Sequence, residues 1–226
     1  MALFTISDLH LSFGVEKPMN IFGSRWDNYE ERLKANWIEQ VKDDDTVLLL
    51  GDFSWAMYLN EAIEDFKFLA SLPGKKILIK GNHDYWWETK SKMNKFLKDN
   101  NFENIYFLDN NFYKYNDYAV CGSRGWIIPS GEDCDDKVMM ARELGRLQYS
   151  IDMAQKEGNN KYIIITHYPP ANEFRKLVEG LDVKQWFFGH LHGNVSPENI
   201  EYTIDGVIYR CVSADTCNFE LIKIMD

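Results

Sequence analysis

Five short apolar runs constrain this chain more than anything else in it: Leu3–Ile6, Val47–Leu50, Ile77–Ile79, Ile163–Ile165 and Trp186–Phe188. They are β-branched or aromatic, almost unbroken in apolarity, and bounded by Gly, Asp or Lys. That pattern suits strands buried on both faces. Longer amphipathic segments separate them. Asp27 followed by Glu30 resembles a capping box, with Leu33, Trp37 and Val41 recurring behind it at helical spacing. Leu59, Ile63, Phe66, Leu69 and Ala70 make a second stripe, stopped by Pro73-Gly74. Met93, Phe96 and Leu97 mark a third helix. A fourth is predicted from about Asp135 to Lys156, with Leu144, Leu147, Ile151 and Ala154 inward.

Two hairpins interrupt the alternation. Phe112–Tyr115 and Tyr118–Val120 flank Asn116-Asp117, and Thr203-Ile204 and Val207–Tyr209 flank Asp205-Gly206, a type I′ turn signal. The expected class is therefore α/β (α+β), with mixed sheets in layers rather than one parallel sheet. A length of 226 residues suits a single domain over residues 1–226. The stretch Gly122–Asp136 is rich in Gly and Asp and is expected to be a long loop walling a site.

Charge and cysteines narrow the function classes. With 35 Asp+Glu against 25 Lys+Arg, the net charge is −10, which repels nucleic-acid backbones and anionic membranes. No duplex nucleic acid and no membrane partner is expected. Cys121, Cys134, Cys211 and Cys217 form no CxxC and lie outside the histidine segments, which disfavours a zinc ribbon or a thioredoxin-like motif. The start of the sequence runs directly into a strand pattern, so a cytoplasmic protein with free thiols is expected.

The residues after the apolar runs carry the chemistry. They are Asp8-Leu9-His10, Gly51-Asp52, Gly81-Asn82-His83-Asp84, His167 and Gly189-His190-Leu191-His192, which together hold all 5 histidines of the chain. Strand C-terminal ends are where open α/β sheets place ligands. In an extended segment, residues two apart point to one side, so Asp8 with His10 and His190 with His192 are each expected to aim as a pair. Carboxylate, amide and imidazole donors without thiolate suit manganese first, then iron, zinc, nickel or cobalt. The set exceeds one ion's needs and suffices for two ions about 3.5–4 Å apart. Any one motif alone is a common turn or a core histidine; their joint occurrence in order is what carries weight.

In that order the five blocks resemble the calcineurin-like metallophosphoesterase superfamily, in particular small bacterial stand-alone phosphohydrolases. The resemblance spans Asp8 to His192. It implies a metallo-dependent phosphatase fold, a four-layer β-sandwich of two mixed sheets flanked by helices. It implies that Asp8, His10 and His192 hold one divalent ion, that Asn82, His167 and His190 hold the other, and that Asp52 bridges them through its two oxygens. It further implies in-line attack by a metal-bridging hydroxide on a phosphomonoester or phosphodiester of a small molecule. His83, hydrogen-bonded to Asp84 with a raised pKa, would assist the leaving group or stabilise the transition state. One departure is Trp55, which stands three places after Asp52 where many members carry an acidic or amide residue; Ser54 is the expected substitute support.

Arg124 is a candidate phosphate clamp, and Trp55, Trp86, Trp87 and Trp126 are candidate covers for a base or an apolar leaving group. Lys17-Pro18-Met19-Asn20 is a candidate wall. A nucleotide pyrophosphatase or nuclease on the same scaffold, and a catalytically silent metal-binding scaffold, are the alternatives.

Overall fold

A computed structural model describes residues 1–127 and 134–226. The strands are β1 (Leu3–Ile6), β2 (Thr46–Leu49), β3 (Lys75–Leu78), β4 (Ile105–Phe107), β5 (Tyr113–Tyr115), β6 (Tyr118–Ser123), β7 (Lys161–Thr166), β8 (Asp182–Phe188), β9 (Glu201–Ile204), β10 (Val207–Cys211) and β11 (Ile222–Met225). The helices are α1 (Tyr29–Gln40), α2 (Ile63–Ser71), α3 (Lys90–Asp99), α4 (Cys134–Lys156), α5 (Asn172–Lys176) and α6 (Pro197–Ile200).

Two mixed sheets result. One has the order β11-β1-β2-β3-β4, parallel except for antiparallel β11. The other has the order β5-β6-β7-β8-β10-β9, parallel except for its two antiparallel edges, β5 and β9. Both edges are the predicted hairpin partners. In the second hairpin Asp205 and Gly206 have φ of 52° and 80°, as a type I′ turn requires.

Alternating side chains build three apolar layers. Leu3, Leu48, Leu50, Ile77 and Ile79 face Val120, Ile163, Ile165 and Phe187 between the sheets. The outer face of the first sheet packs against α1, α2 and α3 through Leu33, Trp37, Phe66 and Met93. The outer face of the second packs against α4 and α5 through Leu147, Ile151 and Phe174. These layers are why the apolar runs lack polar alternation: each central strand is covered on both faces.

The structure corrects several local expectations. Helix α1 starts from Asn28 in a left-handed conformation with no side-chain cap, so the Asp27/Glu30 capping box does not form. Asp27 instead closes the preceding 3-10 turn Ser24–Trp26. The chain's entry into α1 is pinned by Tyr29, whose hydroxyl donates to the His10 carbonyl at 2.7 Å. Leu59 precedes α2 and reaches the same apolar layer from a turn. Strands β4 and β11 fall outside the expected runs; β4 is an apolar run of only three residues and β11 is interrupted by Lys223, and each lies at a sheet edge. The expected loop over Gly122–Asp136 is trimmed at both ends by β6 and α4; its residues 128–133 lie outside the described part.

The two sheets are joined at the end where β1 and β10 finish. Ser7 N donates to Val212 O at 2.9 Å, and Ala214 N donates to Ser7 O at 2.9 Å. This junction brings the strand ends of both sheets around one point.

Candidate metal centre

The loops after β1 and β2 remain paired beyond their strands. Asp8 N donates to Gly51 O, His10 N to Asp52 O and Leu11 N to Phe53 O, each at 3.0 Å. The backbone there is not extended. Asp8, His10, Asp52 and His190 have φ of 60°, 48°, 50° and 71°. A left-handed conformation costs a non-glycine residue on the order of 1 kcal/mol and gathers at functional sites. Asp8 with His10 and His190 with His192 therefore converge through left-handed turns, not through the strand alternation expected from sequence. Gly81 and Gly189 let the loops close this tightly: a Cβ at Gly81 would strike the Asp52 carboxylate, and one at Gly189 would strike Ser7 and the Asp8 carboxylate.

All seven expected ligands converge, in two groups with Asp52 between them. Asp8 Oδ1 lies 3.3 Å from His192 Nε2 and 4.0 Å from His10 Nε2, and the two Nε2 atoms are 3.3 Å apart. In the second group, Asn82 Oδ1 lies 2.6 Å from His167 Nε2 and 2.9 Å from His190 Nδ1. Asp52 Oδ2 faces both groups, 3.9 Å from His10 Nε2 and 3.4 Å from His167 Nε2. The same oxygen thus faces both groups. The other, Oδ1, is taken by the His83 amide at 2.7 Å.

This donor set fits a cation. His167 Nδ1 is 2.9 Å from the Leu50 carbonyl, which can only accept, so Nδ1 carries the proton and a neutral ring leaves Nε2 as a bare lone pair. That lone pair meets an amide oxygen and a carboxylate oxygen. His192 Nδ1 lies 2.9 Å from Asp215 Oδ1 and is fixed the same way. Asp8 Oδ1 is buried without a hydrogen-bond donor. Lone pairs crowded this closely repel unless positive charge lies among them. Asp8, His10 and His192 could hold one ion, and Asp8, Asp52 and His167 also lie within ligand distance of one another.

Burial and neighbouring charge tune these groups in opposite directions. Burial lowers the pKa of His10 to about 3 and of His190 to about 4, so both rings are neutral donors near pH 7. Burial, reinforced by Asp8 and Asp84, raises Asp52 to about 7. Burial opposes charge on Asp8 too, but His192 and the other histidines hold it below the usual carboxylate range. For His192 the hydrogen bond to Asp215 and the charge of Asp8 overcome burial and raise it to about 10. The side chain of His192 is 35% exposed while that of Asp8 is fully buried, so the centre opens on the His192 side.

Asp84 is not the partner of His83. Its Oδ2 accepts from Gly81 N at 2.7 Å and Asp52 N at 2.9 Å, while Oδ1 accepts from Phe53 N at 2.9 Å, Ser54 N at 3.4 Å and Trp86 Nε1 at 3.0 Å. Successive amides in the turn after β2 point at it, and its carboxylate is fully used. His83 Nδ1 is buried with no partner, and burial, aided by His167, lowers its pKa, opposite to the expected direction. Ser54 does not support Asp52 either; its hydroxyl donates to buried Asp65.

Two supporting residues escaped the sequence reading. Asp215 orients His192 and also accepts from Gly193 N at 2.9 Å. Ser213 Oγ donates to Asp8 Oδ2 at 2.9 Å, and His190 N reaches the same oxygen at 2.9 Å. Such partners fix the tautomer and the orientation of a ligand. Their signal was available: Val212-Ser213-Ala214-Asp215 follows a strand, as the histidine motifs do, but holds no histidine.

A cleft of about 420 Å³ opens beside His10, His83 and His192, walled by Met19, Phe22, Trp26 and Trp55. Trp55 stacks on His10 with ring centroids 4.7 Å apart and lies 4.6 Å from His83. Trp86 is core, and neither Trp87 nor Trp126 lines this cleft. Arg124 is turned away from it. Its guanidinium lies 3.3 Å from Glu143 and over the ring of Trp126, in a separate cavity with Lys80 and Arg146. Its backbone carbonyl does serve the centre, accepting from His167 N and Tyr168 N at 3.0 Å each.

No curated protein matches the chain. Solved structures do, at low identity. A protein of unknown function from Aquifex aeolicus is 20% identical over 98% of this chain and 95% of its own, with a TM-score of 0.50. TT1561 of Thermus thermophilus is 14% identical over 99% and 97%, with a TM-score of 0.59. The phosphopantetheinyl hydrolase of Mycobacterium tuberculosis is 13% identical over 99% and 95%, with a TM-score of 0.50. These likenesses establish the shared two-sheet fold. A family model for calcineurin-like phosphoesterases matches residues 1–194, which takes in every histidine motif. With that match, the paired donor groups and the layered sheets, the chain belongs to the calcineurin-like phosphoesterase family.

Proposed function

We propose that this protein is a dinuclear metal-dependent phosphohydrolase acting on a phosphomonoester or phosphodiester of a small molecule. Family membership supports metal-dependent phosphoester hydrolysis in general. The observation that carries the finer reading is Asp52 Oδ2 standing between two donor groups, 3.9 Å from His10 Nε2 and 3.4 Å from His167 Nε2. Asp8, His10 and His192 would hold one ion, Asn82, His167 and His190 the other, with Asp52 shared between them. Oxygen and imidazole donors favour manganese, with iron, zinc, nickel or cobalt as the other choices. When bound, the ions supply Lewis acidity for the phosphoryl oxygens and make a water acidic enough to act as nucleophile.

The chain's own residues do the rest. His10 and His190, kept neutral by burial, present lone pairs without first losing a proton. Asp215 and the Leu50 carbonyl hold His192 and His167 in one tautomer. His83 ligates neither group. It lines the cleft with its main chain tied to Asp52, so its ring is set beside the reacting ester. There it donates a hydrogen bond or a proton to the departing oxygen; the negative charge of an arriving ester raises its pKa and favours the donor form.

The test is metal analysis coupled to turnover. Protein loaded with Mn²⁺ should carry two ions per chain and cleave a generic aryl phosphate mono- or diester. Asp52→Asn should lose metal and activity together. Two ions retained with normal turnover in that variant would sink the bridging assignment. Metal-replete protein inert across a broad phosphoester panel would favour a silent scaffold.

A further inference from the structure

We propose that the alcohol portion of the ester is bulky and apolar, and that Met19, Phe22 and Trp55 select it. This rests on the phosphoesterase reading above and assigns its substrate class. The cleft includes His10, His83 and His192 but not Asn82, His167 or His190, so its apolar wall flanks one side of the centre only. That is the side of His83, where the alcohol departs. At about 420 Å³ the cleft has the size of a site for a whole small molecule rather than a phosphate group alone.

The stretch of wall formed by Met19, Phe22 and Trp55 offers an alcohol little to hydrogen-bond with. The Trp55 indole N–H already donates to Met19 Sδ at 3.0 Å. Arg25, at the far side of the lining, already donates to Gly193 O at 2.8 Å, Asn194 Oδ1 at 2.9 Å and Asp215 at 3.5 Å. A sugar or polyol seated against Met19, Phe22 and Trp55 would give up water without replacement partners, which is costly. An apolar group gives up nothing and covers Phe22. Phe22 is 57% exposed at the cleft while its neighbours Met19 and Trp26 are buried in the core. Gly23, with φ of 121°, turns the chain immediately after Phe22 and ends the short 3-10 turn Met19–Phe22 that presents it.

The test separates binding from turnover. Calorimetry on the Mn²⁺-loaded protein compares ethylphosphonate with 2-phenylethylphosphonate, and turnover compares ethyl, glyceryl, hexyl and 2-phenylethyl phosphates, primary-alcohol esters of similar intrinsic reactivity. The phenylethyl and hexyl compounds should be favoured about tenfold or more over ethyl and glyceryl. Phe22→Ala should erase most of that preference, read as the ratio of phenylethyl to ethyl in both binding and turnover. Equal binding across the series, a preference for glyceryl, or a uniform loss in Phe22→Ala overturns the proposal. Turnover without size preference overturns it and spares the phosphoesterase reading. Size-selective binding with no turnover of any ester spares the apolar subsite and overturns that reading. Absence of both binding and turnover overturns both.

Discussion

The amide of Asp52 donates to the carboxylate of Asp84 at 2.9 Å, and the amide next to Asp84, that of His83, donates back to Asp52 Oδ1 at 2.7 Å. The loops after β2 and β3 are thereby clasped in both directions. Asp52 is left with one free oxygen, and that oxygen is the one standing between the two donor groups. Asp84 acts as an organiser of backbone rather than as a partner for a histidine.

Replacing Asp84 should therefore act on folding and metal binding before chemistry. Asp84→Ala orphans several buried N–H groups at once and should destabilise the fold by about 3–5 kcal/mol. Thermal unfolding and metal content check this. A stable, metal-replete Asp84→Ala with only its pH–rate profile altered would restore the catalytic assignment.

His83→Ala should behave in the opposite way. His83 is half-buried and its ring accepts no hydrogen bond from the ligand set, so stability and metal content should hold. The value of kcat should drop by about 10²-fold or more for an ester with a poor leaving group, and by less for a nitrophenyl ester whose oxygen needs no proton. Loss of an ion in this variant would mean that His83 has been misplaced.

Metal affinity should strengthen as pH rises. Without metal, Asp52 titrates at about 7 and His192 at about 10, so uptake near neutral pH must displace protons. Between pH 6 and 8 the Kd for Mn²⁺ should tighten by about tenfold per pH unit or more. Calorimetry in buffers of different ionisation enthalpy should show net proton release on binding. A pH-independent Kd would contradict this electrostatic picture of the centre.

Asp215→Asn should weaken the same site by a different route. It keeps the shape but removes the charge that orients His192, so metal affinity should fall about 10–100-fold while the fold persists. The pH dependence of Kd should flatten as well, because His192 loses the carboxylate that raises its pKa.

Far from the centre, Lys76 offers a stability test. It is fully buried on β3, its ammonium donating to the Leu72 carbonyl, and burial lowers its pKa to about 8. Between pH 8 and the unfolded value of 10.5 the unfolded chain binds more protons, so stability should rise with pH across that window. Lys76→Met should remove this slope and raise stability at pH 7 by about 2 kcal/mol. A lower Tm at pH 7 would show that the ammonium is needed where it sits.

The sequence by itself determined the central strands and which metal-donor side chains stand at their ends. Ile77–Ile79, Ile163–Ile165 and Trp186–Phe188 read as strands because burial on both faces leaves no polar alternation to confuse. His10, His167, His190 and His192 read as candidate ligands because their chemistry is local and their places at strand ends are regular. What each remaining side chain touches was settled only in three dimensions. His83 and Asp84 are neighbours in sequence, yet a tight turn sends one ring to Trp55 and the other carboxylate into a ring of amides from the turn after β2. Arg124 carried the charge expected of a phosphate clamp, but Glu143, folded against it by α4, claims that charge. Asp215 had no motif to announce it and became a support for His192 only because β10 ends beside β1. Side-chain chemistry and periodicity are properties of short segments and survive in the linear order. Hydrogen-bond partnership and the aim of a ligand depend on left-handed turns and on strands distant in sequence, which the packing of the two sheets alone brings together.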